Sequence, residues 1–212
     1  MNNFVETYLK EIKESCSLLD KDMINQIVSK LKKVKENSGR IFFIGVGGGA
    51  GNATHAVNDF RKIADIECYT PSDNISELTA RINDDGWSTS YKEWLLTSKL
   101  SKNDIIFVFS VGGGDVKKKI STNIVEAIKI AKKKKSIIVG ITGPDGGYTK
   151  KNTNFCLTIP ITNKNNLTAI TESFQSIVWH LLVSHPGLKK KSMKWESILK
   201  WRKQFFLIEM VF

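Results

Sequence analysis

Two pairs of ionisable side chains stand out, because the chain contains only three histidines. His55 and Asp59 are four residues apart, and Glu172 and His180 are eight apart, so each pair shares one face of a helix. Imidazole and carboxylate groups in such pairs bind divalent metals, and they also act as general acids and bases. Each residue alone is compatible with an ordinary surface or capping role, so this chemistry requires the two pairs to meet.

Two glycine runs follow short apolar segments, GVGGGAG at 45–51 and SVGGGD at 110–115. Glycines at a strand-to-helix turn let backbone N–H groups approach a ligand, and the N-terminus of the following helix favours an anion. No GK[ST] follows the first run, which excludes a P-loop. Nicotinamide binding stays an alternative, although no clear acidic residue ends the next strand. Two such loops in one small domain indicate one ligand that spans both.

Composition narrows the class of protein. The 212 residues carry a net charge of +11, and no RNP-like motif or zinc finger accompanies it. We therefore favour a solvated basic surface, which attracts anions, over nucleic-acid binding. No apolar stretch approaches the roughly 20 residues of a membrane span, and no signal core opens the chain, so we predict a cytoplasmic protein. The separated Cys16, Cys68 and Cys156 are interpreted as buried thiols.

The apolar periodicity predicts alternating strands and helices. We expect strands at 40–46, 66–70, 104–111, 136–142 and 154–160. We expect helices at 4–18, 21–36, 50–63, 116–132 and 168–183, and helical pieces over 74–100 that a turn around 83–86 interrupts. Strand, glycine turn and helix in repetition predict an α/β fold with a doubly wound parallel sheet. Ligands of such sheets bind at the carboxyl ends of the strands.

The chain is predicted to form one domain over residues 1–188, which includes an N-terminal helical pair within 1–37. The other predicted helices already suffice to cover both faces of the sheet. We therefore expect the apolar faces of this pair to pack against another subunit. On the last helix, Gln175 and Trp179 are predicted to project away from Glu172 and His180. The basic extension 189–212 is interpreted as an amphipathic helix that packs on a neighbouring subunit, with a membrane-surface role as the alternative.

Together these motifs resemble the sedoheptulose-7-phosphate isomerases, or phosphoheptose isomerases, which have the SIS-domain fold. The resemblance spans residues 1 to about 186 and also includes LTARINDDGW at 78–87 and GITGPDGG at 140–147. It implies a flavodoxin-like three-layer sandwich and a homotetramer with active sites between subunits. It also implies conversion of sedoheptulose 7-phosphate to a heptose 7-phosphate for bacterial surface glycans. Some members bind zinc.

Carried over by position, the resemblance implies a role for each matching residue. Asp59 and His180 become the catalytic groups that transfer protons, in an order that the sequence leaves open. The metal ligands become His55, Asp59, Glu172 and His180. The substrate contacts become Val46, Gly47, Gly48, Asn83, Asp84, Ser110, Val111, Gly112, Asp115 and Glu172.

The loops depart from the family pattern, which usually reads GNGGS and STSGNS and holds phosphate with hydroxyl groups. Here only Ser110 remains, and Asp115 repels a dianion unless it turns away to cap the predicted helix at 116–132. Asp59 replaces Glu, and Glu172 replaces Gln, which adds a negative charge for a cation. Two alternatives stay open: an isomerase for a different sugar phosphate, and a non-catalytic sugar-phosphate-binding module. The His and carboxylate set favours the enzyme.

Overall fold

Five apolar runs form the strands, and the two central ones are buried on both faces of the sheet. The computed structural model describes residues 3–198, in which β1 (Ile41–Gly45) and β3 (Ile105–Ser110) are buried at every position. Continuous apolar runs of this kind are typical of parallel strands that helices cover on both sides. The remaining strands are β2 (Cys68–Tyr69), β4 (Ile137–Thr142) and β5 (Phe155–Thr158).

The helices follow the predicted periodicity closely at the two ends of the chain. Asp20 accepts a hydrogen bond from the N–H of Met23 and thereby caps the second helix. The described helices are α1 (Phe4–Ser17), α2 (Lys21–Glu36), α3 (Gly48–Asp59), α4 (Ile75–Asp85), α5 (Ser90–Thr97), α6 (Thr122–Lys134), α7 (Gly147–Asn152), α8 (Leu167–Ser184) and α9 (Lys194–Ile198).

All five strands are parallel, and their order is β2-β1-β3-β4-β5. This is the flavodoxin-like order, in which the winding reverses between β1 and β3 and opens a crevice at their carboxyl ends. Gly45 at the end of β1 pairs with Phe109 near the end of β3. The two glycine runs therefore leave the sheet side by side at the switch point. The predicted doubly wound sheet is confirmed.

Alternate strand residues pack into two cores, one on each face of the sheet. On one face, Phe43, Phe107 and Phe109 pack with α2, α3 and α8. On the other face, Phe42 and Ile106 pack with α5 and α6. Helices, sheet and helices thus form a three-layer sandwich.

The two N-terminal helices differ in how the chain covers them. Ile27 and Leu31 of α2 are fully buried against the sheet, so the prediction that both helices pack on another subunit is wrong for α2. On α1, by contrast, Phe4, Val5 and Leu9 remain exposed. Of these two helices, only α1 keeps large apolar side chains exposed within the described part of the chain.

Three segments differ locally from the sequence-based expectation. Asn83 and Asp84 lie in the last turn of α4 rather than in a turn between helices. The predicted helix at 116–132 begins only at Thr122, because Asp115 and Ile120 form a β-bridge that closes the preceding residues into a loop. The turn at 143–147 leads directly into the short helix α7, which was not predicted.

The predicted C-terminal helix lies mostly outside the described residues. Its described part is α9, on which Trp195 and Ile198 are exposed. Within residues 3–198, no helix combines the length and the apolar character that crossing a bilayer requires.

Candidate active site

The first glycine loop joins β1 to α3 and is shaped by close backbone packing. A Cβ atom at Gly49 would lie 2.6 Å from the carbonyl oxygen of Phe109 on β3, and a Cβ at Gly45 would overlap the backbone of Gly49. Gly47 has a φ of 59° and begins the turn into α3. Glycine at these positions lets the N-terminus of α3 approach the ends of both strands, which is where an anion is favoured.

The second glycine loop is tied to the turn at 143–147. Gly113 has a φ of 70°, and a Cβ there would overlap the carbonyl of Gly146. The carbonyl of Gly113 accepts hydrogen bonds from the N–H of Thr149 at 2.9 Å and from its hydroxyl at 2.7 Å. The N–H of Gly113 donates to Ser110 Oγ at 3.0 Å. Most of this loop therefore serves to join β3 to α7.

Gly112 is the part of the second loop that stays open. A Cβ at Gly112 would meet no atom within 4 Å, and the Gly112 N–H has no acceptor among the described residues. Asp115 turns away and accepts hydrogen bonds from the N–H groups of Lys118 and Lys117 at 2.9 and 2.8 Å. These bonds hold the pKa of Asp115 below its usual value. The carboxylate thus closes a local turn instead of capping the predicted helix at 116–132.

The predicted pairs on α3 and α8 come together at one point. Asp59 Oδ2 lies 4.0 Å from His55 Nε2 and 3.9 Å from His180 Nε2. These three atoms all lie within 4.8 Å of one another. The side chain of Asp59 is only 5% exposed, whereas those of His55 and His180 are 59% and 47% exposed. A buried carboxylate therefore lies beneath two accessible imidazoles, an arrangement we name the His/Asp cluster.

Local backbone and side-chain contacts orient this cluster. Asp59 is the last residue of α3, and the chain continues as a π-turn over Phe60–Ala64, a feature that often accompanies functional sites. Asn58 donates to Asp59 Oδ1 at 2.7 Å, which leaves Oδ2 without a hydrogen-bond donor among the described residues. His180 Nδ1 lies 2.8 Å from the carbonyl of Ser176 and so carries the hydrogen. The other ring nitrogen, His180 Nε2, faces Asp59 Oδ2 at 3.9 Å.

The donor set of the His/Asp cluster fits a divalent metal. It supplies two neutral imidazole nitrogens and one carboxylate oxygen, the ligands of many three-residue zinc sites. The backbone hydrogen bond on His180 Nδ1 is also the usual outer contact of a metal-binding histidine. Ligand atoms around tetrahedral zinc lie about 3.4 Å apart, so the distances from Asp59 Oδ2 to the two imidazoles would need to shorten by about half an ångström.

Glu172 lies at a different place from the His/Asp cluster. Its carboxylate occupies the space above Gly48, where a Cβ would overlap it, and it is not among the three converging groups. Asn52 of α3 donates to the backbone carbonyl of Glu172 at 3.0 Å and to Gln175 Oε1 at 3.2 Å. Glu172 is therefore held over the first glycine loop.

Sequence reasoning missed two residues that organise the site. Trp179 was predicted to project away, but its ring lies 3.5 Å from that of His180 and 4.7 Å from that of His55, measured between centroids. Gln175 bonds to Asn52 and to the carbonyl of Ile141, so it links α8 to α3 and β4. The only sequence signal for either contact was their place on the same helix as His180.

Asn83 and Asp84 are exposed on α4, where Asn83 Nδ2 donates to Asp84 Oδ1 at 2.8 Å. No hydrogen bond or ion pair within the described residues joins them to the glycine loops or to the His/Asp cluster. Within one chain, Asn83 and Asp84 therefore lie apart from the other predicted site residues.

A cleft of about 530 Å³ opens beside the second glycine loop. Its lining residues come from this loop, from the turn at 143–147 and from the segment before and at the start of α8: Val111, Gly112, Pro144, Asp145, Ile161, Thr162, Lys164 and Leu167. The open N–H of Gly112 therefore lies in the wall of a space large enough for a small molecule.

The glycine loops and the His/Asp cluster are separated along α3. His55 follows Gly48 by seven residue steps, a rise of about 10 Å at 1.5 Å per residue. A ligand that touches both must be extended, with an anionic group at one end. The other end then meets groups that can move protons or bind a metal.

Comparison with known proteins identifies the family of the chain. The SIS domain family matches residues 6–143. The phosphoheptose isomerase of Aneurinibacillus thermoaerophilus is 28% identical over 171 residues, which cover 76% of this chain and 82% of that protein. The lincomycin biosynthesis protein LmbN of Streptomyces lincolnensis is 29% identical over 66% of this chain and 54% of its own length.

Among solved structures, a phosphoheptose isomerase from Francisella tularensis superposes with a TM-score of 0.74 at 20% identity, covering 86% of this chain and 93% of that one. This likeness concerns the fold. The family match, by contrast, covers well over half of the sequence. The chain belongs to the SIS domain family.

Proposed function

We propose that this protein is a sugar-phosphate isomerase that interconverts an aldose phosphate and a ketose phosphate. The observation that carries the proposal is the convergence of His55, Asp59 and His180 between α3 and α8 of an SIS fold. The similarity to phosphoheptose isomerases over most of the chain supports the same activity. A purely ligand-sensing module has no need of a buried carboxylate beneath two accessible imidazoles.

The proposed substrate is sedoheptulose 7-phosphate, which becomes a heptose 7-phosphate. The separation of about 10 Å between Gly48 and His55 along α3 suits an open seven-carbon chain whose phosphate and reacting carbons lie at opposite ends. The phosphate would bind the N–H of Gly112, Ser110 and the N-terminus of α3. Glu172, above Gly48, is proposed to bind substrate hydroxyl groups rather than to serve as a fourth metal ligand.

Isomerisation moves one proton between two adjacent carbons through an enediol. Asp59 Oδ2 would remove the proton from C1 of the ketose, while protonated His180 Nε2 donates a proton to the carbonyl oxygen on C2. In the second half, Asp59 returns its proton to C2, and the hydroxyl proton on O1 passes back to His180. Burial of Asp59 and its missing donor at Oδ2 keep this oxygen free for the transfer.

A zinc ion is the alternative occupant of this cluster, with His55, Asp59 and His180 as its ligands. Because it would take the atoms that transfer protons in the metal-free scheme, it would replace that scheme and not act beside it. When bound, it would polarise the substrate carbonyl as a Lewis acid. The donor set supports this assignment, because the two neutral imidazoles and one carboxylate leave one negative charge for a divalent ion to neutralise.

We also propose that residues 1–188 act as one domain and that the chain forms a homotetramer. The exposed Phe4, Val5 and Leu9 on α1 support burial against another subunit. Asn83 and Asp84 would then reach the substrate of a neighbouring subunit, because they lie exposed and apart from the other site residues of their own chain.

The decisive test is turnover of sedoheptulose 7-phosphate by the full chain, with and without added zinc. Turnover that His180→Ala abolishes supports the proposal. Turnover only of a shorter phosphosugar would favour an isomerase for a different substrate, which the sparse donors of the second glycine loop make a specific alternative. Binding of phosphosugars without any turnover would contradict the enzyme assignment.

A further inference from the structure

The rings of Trp179, His180 and His55 form one packed group. Trp179 stacks on His180 with ring centroids 3.5 Å apart and planes at 28°, and its edge meets His55 at 4.7 Å. Consecutive helical residues point about 100° apart and do not normally face each other. The stacking of residues 179 and 180 therefore requires both side chains to lean toward the His/Asp cluster.

The two histidines depend on this tryptophan to different degrees. His180 has a second restraint, because its Nδ1 hydrogen binds the carbonyl of Ser176 at 2.8 Å. His55 makes no hydrogen bond with the described residues, and more than half of its side chain is exposed. Its ring contacts those of Trp179 and His180 edge-on. The direction of His55 Nε2 thus depends mainly on Trp179.

The stability of the fold does not by itself explain why an indole occupies this position. Trp179 is fully buried, and its Nε1 hydrogen has no acceptor among the described residues. A buried donor without an acceptor destabilises a fold, and a phenyl ring would fill most of the same space without that donor. The indole does, however, offer a large electron-rich face to His180, which attracts an imidazole that carries positive charge or binds a metal.

We propose that Trp179 is a positioning residue of the His/Asp cluster: it orients His55 and His180 so that both Nε2 atoms face Asp59 Oδ2. This inference rests on the proposed function, since it assigns to the cluster the metal or the proton transfer described above. Trp179 itself touches neither. It acts through the two imidazoles.

The test compares Trp179→Phe with Trp94→Phe in the full chain. Trp94 is the matched control, because it is also nearly buried and contacts Phe42, at 5.5 Å, in the core on the other face of the sheet. Zinc affinity is measured by competition with a chromophoric chelator, and the thermal midpoint is measured without metal. We expect Trp179→Phe to weaken zinc binding by about tenfold or more with an almost unchanged midpoint. Trp94→Phe should leave zinc affinity unchanged.

A double-mutant cycle identifies the partner. If the indole acts through His55, His55→Ala should lower zinc affinity much less in the Trp179→Phe background than in the wild type. Unchanged zinc affinity in Trp179→Phe overturns the inference. It is also overturned if affinity and midpoint fall together and in proportion in both tryptophan variants, since that indicates a merely structural role.

Failure of the proposed function can be told apart from failure of this inference. A chain that binds zinc but turns over no sugar phosphate loses the enzyme assignment, while the zinc comparison still decides the role of Trp179. If the wild type turns over substrate without binding zinc, a lower kcat with unchanged KM in Trp179→Phe supports the inference, and an unchanged kcat overturns it. A wild type with neither property overturns both.

Discussion

The His/Asp cluster and the second glycine loop are both parts of the proposed site, yet they are built in opposite ways. The cluster consists of side chains from two helices, and its imidazoles are about half exposed with few hydrogen bonds. The loop consists of backbone, and Gly113 and its neighbours are fixed by bonds to Thr149 and by contact with Gly146. Substitutions in the cluster should therefore alter its chemistry without altering the fold, whereas most substitutions in the loop should disturb the fold.

This difference explains how the loop can lack the family's hydroxyl groups. Gly113 is required for the junction of β3 with α7, whereas Gly112 has open space beside it and lines the cleft. The proposed catalytic role belongs to side chains on helices, and the proposed anion-binding role belongs to the backbone of a rigid loop. Variants of the two regions should accordingly fail in different ways, one in turnover and the other in stability or substrate affinity.

The largest effect should come from the cluster. We expect Asp59→Asn and His180→Ala each to lower kcat by about 10²–10⁴-fold, because a positioned acid or base contributes this much to proton transfer. Steady-state kinetics with circular dichroism as a check on folding would measure it. His185→Ala is the control, since His185 follows α8 and its side chain accepts a hydrogen bond from the nearby N–H of Gly187. Well-folded variants with full turnover would refute the assignment.

Two variants of the second glycine loop should separate its contribution to stability from its contribution to substrate binding. Gly113→Val must adopt a left-handed φ and overlap Gly146, so we expect a loss of about 2–5 kcal/mol in the free energy of unfolding. Gly112→Val has open space around its Cβ and should leave stability unchanged, while KM rises by about tenfold because the added side chain keeps the anion away from the N–H at this position. Urea unfolding and kinetics measure the two. Equal stability loss in both variants would contradict the distinction.

A third region, at the amino ends of the strands, should affect stability alone. Arg40 and Asp104 join β1 to β3 there at 3.0 Å. Burial opposes ionisation of Asp104, but hydrogen bonds from Arg40 and Ser101 outweigh it and hold the pKa of Asp104 below its usual value. A depressed pKa gives stability that is present above the usual value of about 4 and is lost as pH falls through the folded value.

Asp104→Asn should therefore cost about 1–3 kcal/mol near pH 7 and should flatten the loss of stability on acidification. Denaturant unfolding at several pH values would measure this effect, and kcat at pH 7 should stay unchanged. A variant whose acid sensitivity matches that of the wild type would show that another carboxylate controls the transition.

The smallest effect is expected from Glu172→Gln. The amide keeps the shape above Gly48, and only one partly exposed charge is removed, so kcat and zinc affinity should stay within about threefold of the wild type. Substrate KM and zinc competition measure the change. A loss of zinc affinity far beyond this range would instead make Glu172 a metal ligand and would join it to the His/Asp cluster.

Several features followed from the sequence because they depend on local pattern. Continuous apolar runs such as IFFIG and IIFVFS are typical of strands buried on both faces, and the helical segments between successive strands favour parallel crossovers. His55 and Asp59 share a face because they are four residues apart on α3. The two glycine runs meet because both end neighbouring strands of a doubly wound sheet.

Other features required the tertiary structure, because they arise where distant segments meet. Trp179 leans toward His180, against its helical direction, to pack with His55 of α3. Glu172 shares a helix face with His180, but the absent side chain of Gly48 gives its carboxylate space elsewhere. From the sequence, Gly113 is interpreted as a ligand-binding glycine. In the structure, its backbone packs against Gly146 instead. Local spacing determined which face each residue occupies, and only long-range packing decided what that face contacts.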